Sequence, residues 1–260
     1  MTEFFHKLFL DTGNAIASTW IAVFAVVMIF MALSRIFSRV KELKIQKRKY
    51  KGATFRHEIM WSALNIAMTT FVLTQFSALL VAEGWLHTDP TPVAWYVVAF
   101  EFALYFFIFD FYFYWVHRLI HIEPLYTWIH KTHHYSIAPN PLSSSSMSPI
   151  EGSLEGLIVP LFLATFTVHE QSMYFILPFA TLMGLYVHCG YEFLPRWWYK
   201  SPLSSWFITP MFHDQHHQYF TCNYGAYTTI WDKVFGTVRP RFYQDFDRLK
   251  QQKTTRLQPG

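Results

Sequence analysis

The stretch "HRLIHIEPLYTWIHKTHH", residues 117–134, decides how the rest of the chain is interpreted, because it places five histidines in eighteen residues. It directly follows "YFFIFDFYFYW", residues 105–115, an aromatic run apolar enough to lie in a membrane. On a helix, residues three and four positions apart share one face, so H-x-x-x-H and H-x-x-H-H patterns direct their imidazoles towards one point. That arrangement is typical of a metal site built on helices.

Histidines elsewhere in the chain repeat the pattern. Nine of the thirteen fall into four groups: His117 with His121, His130 with His133 and His134, His188 alone, and His213 with His216 and His217. Neutral imidazole binds iron, zinc or copper, whereas magnesium and calcium prefer oxygen ligands. Nine imidazoles exceed the three or four ligands of a single zinc site, so two metal ions are predicted. The remaining four are interpreted as surface residues: His6, His57, His87 and His169.

The composition indicates a membrane protein. Hydrophobic residues make up 52% of the 260 positions and aromatic residues 20%, whereas charged residues make up only 15%. The net charge is +4, and no basic run interleaves with aromatics as in a nucleic-acid surface, so nucleic acid is excluded as a partner. Two cysteines do not suggest a disulfide framework. The first apolar run is too long for a signal peptide and is expected to remain in the protein.

Three apolar runs have the length of about twenty residues that a bilayer core requires: residues 15–37, 59–81 and 93–115. The segment at residues 39–56 is the most basic part of the chain, so the positive-inside rule places it in the cytoplasm. The third run then ends on the cytoplasmic side, where the histidines begin.

Two shorter apolar stretches, residues 154–168 and 172–187, predict a helical hairpin that dips into or just crosses the bilayer and returns His188 to the cytoplasmic face. The segment "YSIAPNPLSSSSMSPIEG", residues 135–152, is rich in proline and serine and is interpreted as a loop.

The expected fold is all-α: a multi-pass membrane protein with about four or five membrane-embedded helices and a cytoplasmic histidine-rich helical cap that holds a dinuclear metal site. Three parts are expected along the chain: N-terminal transmembrane helices with a basic cytoplasmic loop (1–92), a catalytic region (93–240) and a polar C-terminal tail (241–260).

The order of the histidine groups, which ends in "YFTCNYGAYTTIWDKVFGT" at residues 219–237, resembles the fatty acid hydroxylase and sterol desaturase superfamily of integral-membrane di-iron oxygenases. The resemblance covers about residues 110–240. The nine-residue separation of His121 and His130 fits this superfamily better than the acyl-CoA desaturases. The segment "APNPLSSSSMSPIEG" and the region from NYG to WD look most like sterol C5 desaturases, whereas "HCGYEFLP" around His188 is closer to C4-methyl sterol oxidases.

The resemblance implies that the nine histidines, His188 included, hold two iron ions that activate O2 for hydroxylation or desaturation of a membrane lipid. A sterol-like substrate is expected ahead of a fatty acyl chain. Because no segment suggests a flavin, nicotinamide or haem domain, the electrons are expected from a separate redox protein. The active site is expected to face the cytoplasm from a bacterial inner membrane or the endoplasmic reticulum.

An all-imidazole ligand set leaves the metal ions strongly positive, so carboxylates are expected to contact the ligands from outside. Asp110, seven residues before His117 on the same helical face, is predicted to orient a ligand. Glu101 either faces a pocket or indicates that the span begins later.

A membrane metal carrier or a haem-binding cytochrome is the alternative function. Carriers place ligands at the bilayer midplane and haem needs isolated axial histidines, and neither matches grouped histidines in polar segments.

Overall fold

A computed structural model describes residues 52–257 continuously, together with residues 43–46 and six helical positions between residues 18 and 29. Most of the predicted first span (15–37) and much of the basic segment (39–56) lie outside the described residues. The continuous helices are α1 Gly52–Ala82, α2 Trp95–Ile120, α3 Lys131–His134, α4 Pro149–Gly156, α5 Ile158–Thr165, α6 Glu170–Val187, α7 Pro210–Tyr219, α8 Ile230–Val234 and α9 Phe242–Leu257.

Shorter elements connect these helices. A π-helix at Tyr126–His130 runs directly into α3, and 3₁₀ turns occupy Pro141–Ser144, Trp198–Lys200 and Ser204–Trp206. Two short strands, β1 (Thr88–Asp89) and β2 (Val168–His169), pair in parallel with Thr88 opposite Val168. The described part of the chain is therefore mainly helical, as the sequence predicts.

Helices α1 and α2 correspond to the second and third predicted spans. With 31 and 26 residues, they are the two helices in the described part that are long and apolar enough to cross a membrane. Helix α2 continues past the predicted end at residue 115 to Ile120, so His117 lies in its last turn and His121 follows as its C-cap. The histidine-rich region therefore begins at the end of a candidate span.

The predicted loop at residues 135–152 is wrong at its C-terminal end, because α4 begins at Pro149. The Ser148 side chain accepts a hydrogen bond from the backbone N–H of Glu151, and proline is well tolerated in the first helical turn. The predicted hairpin also differs: its first half is divided between α4 and α5, and residues 170 and 171, which lie between the two predicted stretches, already belong to α6.

Helix α4 packs closely against α1 through two glycines, in the manner of small residues at membrane-helix contacts. A Cβ atom on Gly152 would lie 2.1 Å from Oδ1 of Asn65, and one on Gly156 would lie 2.4 Å from Cδ1 of Leu73. Each glycine follows a glutamate, Glu151 and Glu155, in the sequence "EGSLEG". The glycine contacts therefore fix the position of α4 and, with it, the two glutamates.

The segment interpreted as a polar tail forms helix α9. Phe242 and Phe246, one turn apart, are buried against Phe212 and Met211 of α7, so α9 supports the helix that carries the last histidine group.

Glu101 faces neither solvent nor an open pocket. Its carboxylate accepts hydrogen bonds from the backbone N–H (3.1 Å) and Nδ1 (2.7 Å) of His169 and from Ser172 Oγ (2.5 Å). His169, interpreted as a surface residue, is partly buried in this cluster.

Candidate metal centre

The nine grouped histidines of the sequence meet in two clusters. In each cluster the possible ligand atoms all lie within 4.8 Å of one another. The five-histidine cluster consists of His117, His121, His130, His134 and His216. The four-histidine cluster consists of His133, His188, His213 and His217. Eight of the nine are buried and His121 is partly buried.

Helical geometry explains how neighbouring histidines come to serve different clusters. Successive residues on a helix point about 100° apart, whereas residues four apart share a face. His130 and His134 therefore join one cluster while His133 joins the other, and His216 and His217 are separated in the same way. The π-helix immediately before α3 belongs to a class of irregularity that is frequent at functional sites.

The Nε2 atoms of the five-histidine cluster point at a common centre. His134 Nε2 lies 2.9 Å from His130 Nε2, 3.3 Å from His121 Nε2 and 3.1 Å from His216 Nε2. His117 Nε2 lies 3.2 Å from His130 Nε2.

His188 is central to the four-histidine cluster, although it stands alone in the sequence. Its Nε2 lies 3.2 Å from that of His133, 3.0 Å from that of His213 and 3.3 Å from that of His217. It caps the C-terminal end of α6, which brings it to the other three.

Outer hydrogen bonds hold five of the rings by Nδ1. The acceptors are Tyr224 O for His117 (2.8 Å), Glu151 Oε1 for His130 (2.6 Å), Ser146 O for His133 (3.3 Å), Gly184 O for His188 (2.8 Å) and Cys222 O for His216 (2.7 Å). A ring that donates from Nδ1 keeps its Nε2 lone pair free for a metal ion. The Nε2 atoms of these five rings are thus in the ligand form.

The protonation of the histidines is consistent with metal binding. Burial lowers the pKa of His133 to about 4, and burial together with the neighbouring imidazoles lowers the pKa values of His134, His216 and His217 well below the ordinary value. Neutral imidazoles whose lone pairs converge repel one another unless a cation lies between them. A set of four or five imidazoles fits iron, zinc or copper. The residues therefore fit two metal ions.

Asp110 is buried, and its partners are in the loop before α8 rather than on a histidine. It accepts hydrogen bonds from the backbone N–H groups of Tyr227 and Thr228, both at 2.9 Å, and from Thr228 Oγ1 at 2.5 Å. The same loop carries the Tyr224 carbonyl that accepts from His117. That Asp110 orients a ligand stays a prediction. Asp110 would do so through this loop, which it holds and which in turn contacts His117.

Glu151 is a carboxylate that contacts a ring of the five-histidine cluster, and the sequence reasoning missed it. It lies within the segment interpreted as a loop, and its helix is signalled only by Ser148 as N-cap and by Pro149. No helical spacing relates it to His130, twenty-one residues earlier. Only the packing of α4 brings the two together.

A cavity of about 110 Å³ adjoins both clusters. Its walls include His117 and His130 of one cluster and His133, His188 and His213 of the other. The remaining wall is largely apolar: Phe109 and Phe113 come from α2, and Met183 and Val187 from α6. Glu155 of α4 and Tyr227 of the loop before α8 complete it.

The chain is similar in sequence to known proteins. The fatty acid hydroxylase family model matches residues 102–237, more than half of the chain. The chain is 31% identical to Delta(7)-sterol 5(6)-desaturase ERG3A of Gibberella zeae, over 85% of this chain and 61% of that protein. It is 28% identical to the ERG3B desaturase of the same fungus, over 82% of this chain and 64% of that protein. A putative methylsterol monooxygenase of Dictyostelium discoideum is 28% identical, over 77% of each.

The chain spans less than two thirds of the length of the two fungal desaturases. No solved structure gives a significant match. The resemblance derived from the histidine spacing is confirmed, and all nine clustered histidines lie within the residues that the family model matches. The chain belongs to the fatty acid hydroxylase family.

Proposed function

We propose that this protein is a membrane-bound di-iron oxygenase that uses O2 and external electrons to hydroxylate or desaturate a C–H bond of a membrane lipid. The observation that carries the proposal is the convergence of nine histidines into two clusters beside one cavity. The relatives named as a sterol desaturase and a methylsterol monooxygenase support both reaction outcomes and favour a sterol-like substrate over a fatty acyl chain.

The five-histidine and four-histidine clusters would each hold one iron ion. When bound, the iron pair supplies O2 activation and hydrogen abstraction from an unactivated C–H bond. The protein contributes the positioning: carbonyl groups and Glu151 hold five of the rings by Nδ1, and burial keeps the imidazoles neutral. Such outer contacts orient metal ligands and raise their affinity.

The cavity beside the clusters would receive the reacting part of the lipid. Its volume of about 110 Å³ is below the roughly 300–1,000 Å³ of pockets that enclose a whole ligand. The rest of the lipid would therefore remain outside it, against apolar helix surface. The aromatic and aliphatic walls exclude water and limit the poses of the substrate, which favours reaction at one carbon.

A membrane location with the site facing the cytoplasm is part of the proposal, in the endoplasmic reticulum or a bacterial inner membrane. It is supported by the basic segment at residues 39–56 and by His117 at the end of α2. Cysteines introduced at Lys47 and Gln251 should react with an impermeant reagent from the same side, and one at the exposed Glu83 from the other. Labelling of Lys47→Cys and Gln251→Cys from different sides would refute this topology.

The reaction is tested with the protein reconstituted with iron, a lipid mixture and a separate electron-donor protein under oxygen-18 gas. Mass spectrometry of the lipids assigns hydroxylation if label appears in a new alcohol, and desaturation if two hydrogens are lost without label. His216→Ala should remove activity, whereas His87→Ala, at an exposed histidine outside the clusters, should not. A haem absorption band in the purified protein, or no lipid change with an active donor and two irons bound, would contradict the proposal.

A further inference from the structure

Glu155 occupies an unusual position for a carboxylic acid. It lies one helical turn after Glu151 on α4 and lines the cavity that also adjoins both histidine clusters. Whereas Glu151 contacts His130, Glu155 lines the cavity and is half-buried.

The buried acids in the described part of the chain have hydrogen-bond donors of their own. Glu58 accepts from Ser136 and Asn140, Glu101 from His169 and Ser172, Asp110 from Tyr227 and Thr228, Glu151 from His130, Glu192 from Leu194 and Met211, Asp214 from Gln46, and Asp232 from Tyr224, Gly225 and Thr237. No hydrogen bond or ion pair to Glu155 is found among the described residues. A polar group facing an apolar cavity without a partner is unfavourable, so this carboxyl is suited to a ligand.

Tyr227 supplies a second observation in the same cavity. Its ring packs on Phe109 at 4.7 Å between centroids, and its hydroxyl is buried without a hydrogen-bond partner among the described residues. Burial, with smaller contributions that include Glu155, raises the pKa of Tyr227, so the two polar groups are close enough to interact electrostatically. Besides the histidines, the cavity is therefore lined by two polar groups, those of Glu155 and Tyr227, that have no hydrogen-bond partner among the described residues.

We propose that Glu155 determines substrate specificity by hydrogen-bonding an oxygen substituent, a hydroxyl group, on the lipid. The identity of the ligand as a lipid rests on the proposed function. Because the carboxyl and both histidine clusters border one cavity of about 110 Å³, the bound oxygen lies only a few bonds from the C–H bond that reacts. The enzyme thus selects lipids that already carry an oxygen near the site of oxidation.

The test measures equilibrium binding to the metal-loaded protein in lipid nanodiscs. Four probes are used: a sterol with one hydroxyl group, the same sterol with hydrogen in place of the hydroxyl, a long-chain alcohol and the matching alkane. In one of the two pairs, the wild type should bind the hydroxylated probe about tenfold more tightly than the probe without the hydroxyl group, which is the gain expected from one buried hydrogen bond. The pair that shows this difference identifies the lipid class.

Two substitutions examine the residue itself. Glu155→Leu should reduce the preference to about one by weakening only the hydroxylated probe, whereas Glu155→Gln, whose amide also donates and accepts, should retain part of it. Glu83→Leu, at an exposed glutamate, should keep the wild-type ratio. Metal content and melting temperature establish that each variant is folded.

Three results would overturn the assignment. The first is that the wild type binds both members of each pair equally tightly. The second is that Glu155→Leu keeps the wild-type preference for the hydroxylated probe. The third is that Glu155→Leu loses the same affinity for both members of a pair, which is what a merely structural role would give. An unchanged preference with an altered pH profile of turnover would make Glu155 a proton donor instead. Because binding does not require turnover, failure of the oxygenase assay would leave this result standing.

Discussion

His130 donates a hydrogen bond from Nδ1 to Oε1 of Glu151 over 2.6 Å, with both side chains buried. This contact joins the π-helix to α4. Among the described residues, it is the one hydrogen bond between a carboxylate and a ring of either histidine cluster. It connects the five-histidine cluster to the packing of α4 on α1, which depends on Gly152.

Replacing Glu151 should weaken metal binding in that cluster. Glu151→Ala removes the acceptor that orients His130, and loss of such an outer contact typically lowers metal affinity about 10- to 100-fold. Glu151→Gln, which keeps an acceptor oxygen, should lose less. Competition with a chelator measures the affinity, with Glu83→Gln as the exposed control. An unchanged affinity in Glu151→Ala would show that the contact does not support the ligand.

The two clusters should be separable by metal stoichiometry. The double variant His213→Ala/His217→Ala leaves the four-histidine cluster with two imidazoles, too few to retain its ion, but leaves the other cluster complete. We expect metal content to fall from two ions per chain to about one and turnover to cease. Elemental analysis provides the measurement, and His87→Ala should keep both ions. Loss of both ions from a folded double variant would mean that the clusters form one interdependent site.

Asp110 should stabilise the loop that holds His117. Asp110→Ala leaves the N–H groups of Tyr227 and Thr228 without their acceptor, and buried unpaired groups cost about 1–3 kcal/mol each. The free energy of unfolding should fall by several times RT, and metal affinity should fall with it, because the Tyr224 carbonyl on His117 belongs to the same loop. Chemical denaturation and chelator competition test the two effects. Unchanged metal affinity at reduced stability would remove Asp110 from ligand orientation.

The glycine contact between α4 and α1 should tolerate no side chain. A Cβ on Gly152 would approach Asn65 Oδ1 to 2.1 Å and Thr69 Oγ1 to 2.7 Å, so Gly152→Ala must displace these side chains or the helix that carries them. Overpacking of this kind costs about 1–3 kcal/mol, and the melting temperature should fall. Gly52→Ala is the matched control, because nothing lies within 4 Å of its added Cβ. Equal melting temperatures would show that α4 adjusts freely.

The metal-free protein should lose stability in mild acid. The buried histidines have lowered pKa values, about 4 for His133, whereas an unfolded chain titrates near 6.5. As the pH falls below about 6.5, the unfolded state binds protons that the folded state does not, so the free energy of unfolding decreases until the folded pKa is reached. Denaturation of metal-free protein at pH 7.5, 6 and 5 tests this. A constant or increasing stability over that range would contradict neutral buried histidines.

Local spacing determined most of the ligand set. Positions four apart on a helix share a face whatever surrounds them, so the sequence by itself predicts that His117 converges with His121, His130 with His134, and His213 with His217. The same holds for α1 and α2, since the length and apolarity of a membrane-capable helix are properties of a continuous segment.

The tertiary structure alone decided how those pairs combine. That His188 lies at the centre of one cluster, that Glu151 meets His130, and that Glu155 faces the cavity all depend on where α4 and α6 pack. Those positions follow from contacts between distant residues, such as Gly152 against Asn65, eighty-seven positions earlier in the chain. A sequence pattern reports periodicity within one element, whereas the separation of two elements is set by the volumes of the side chains that meet between them.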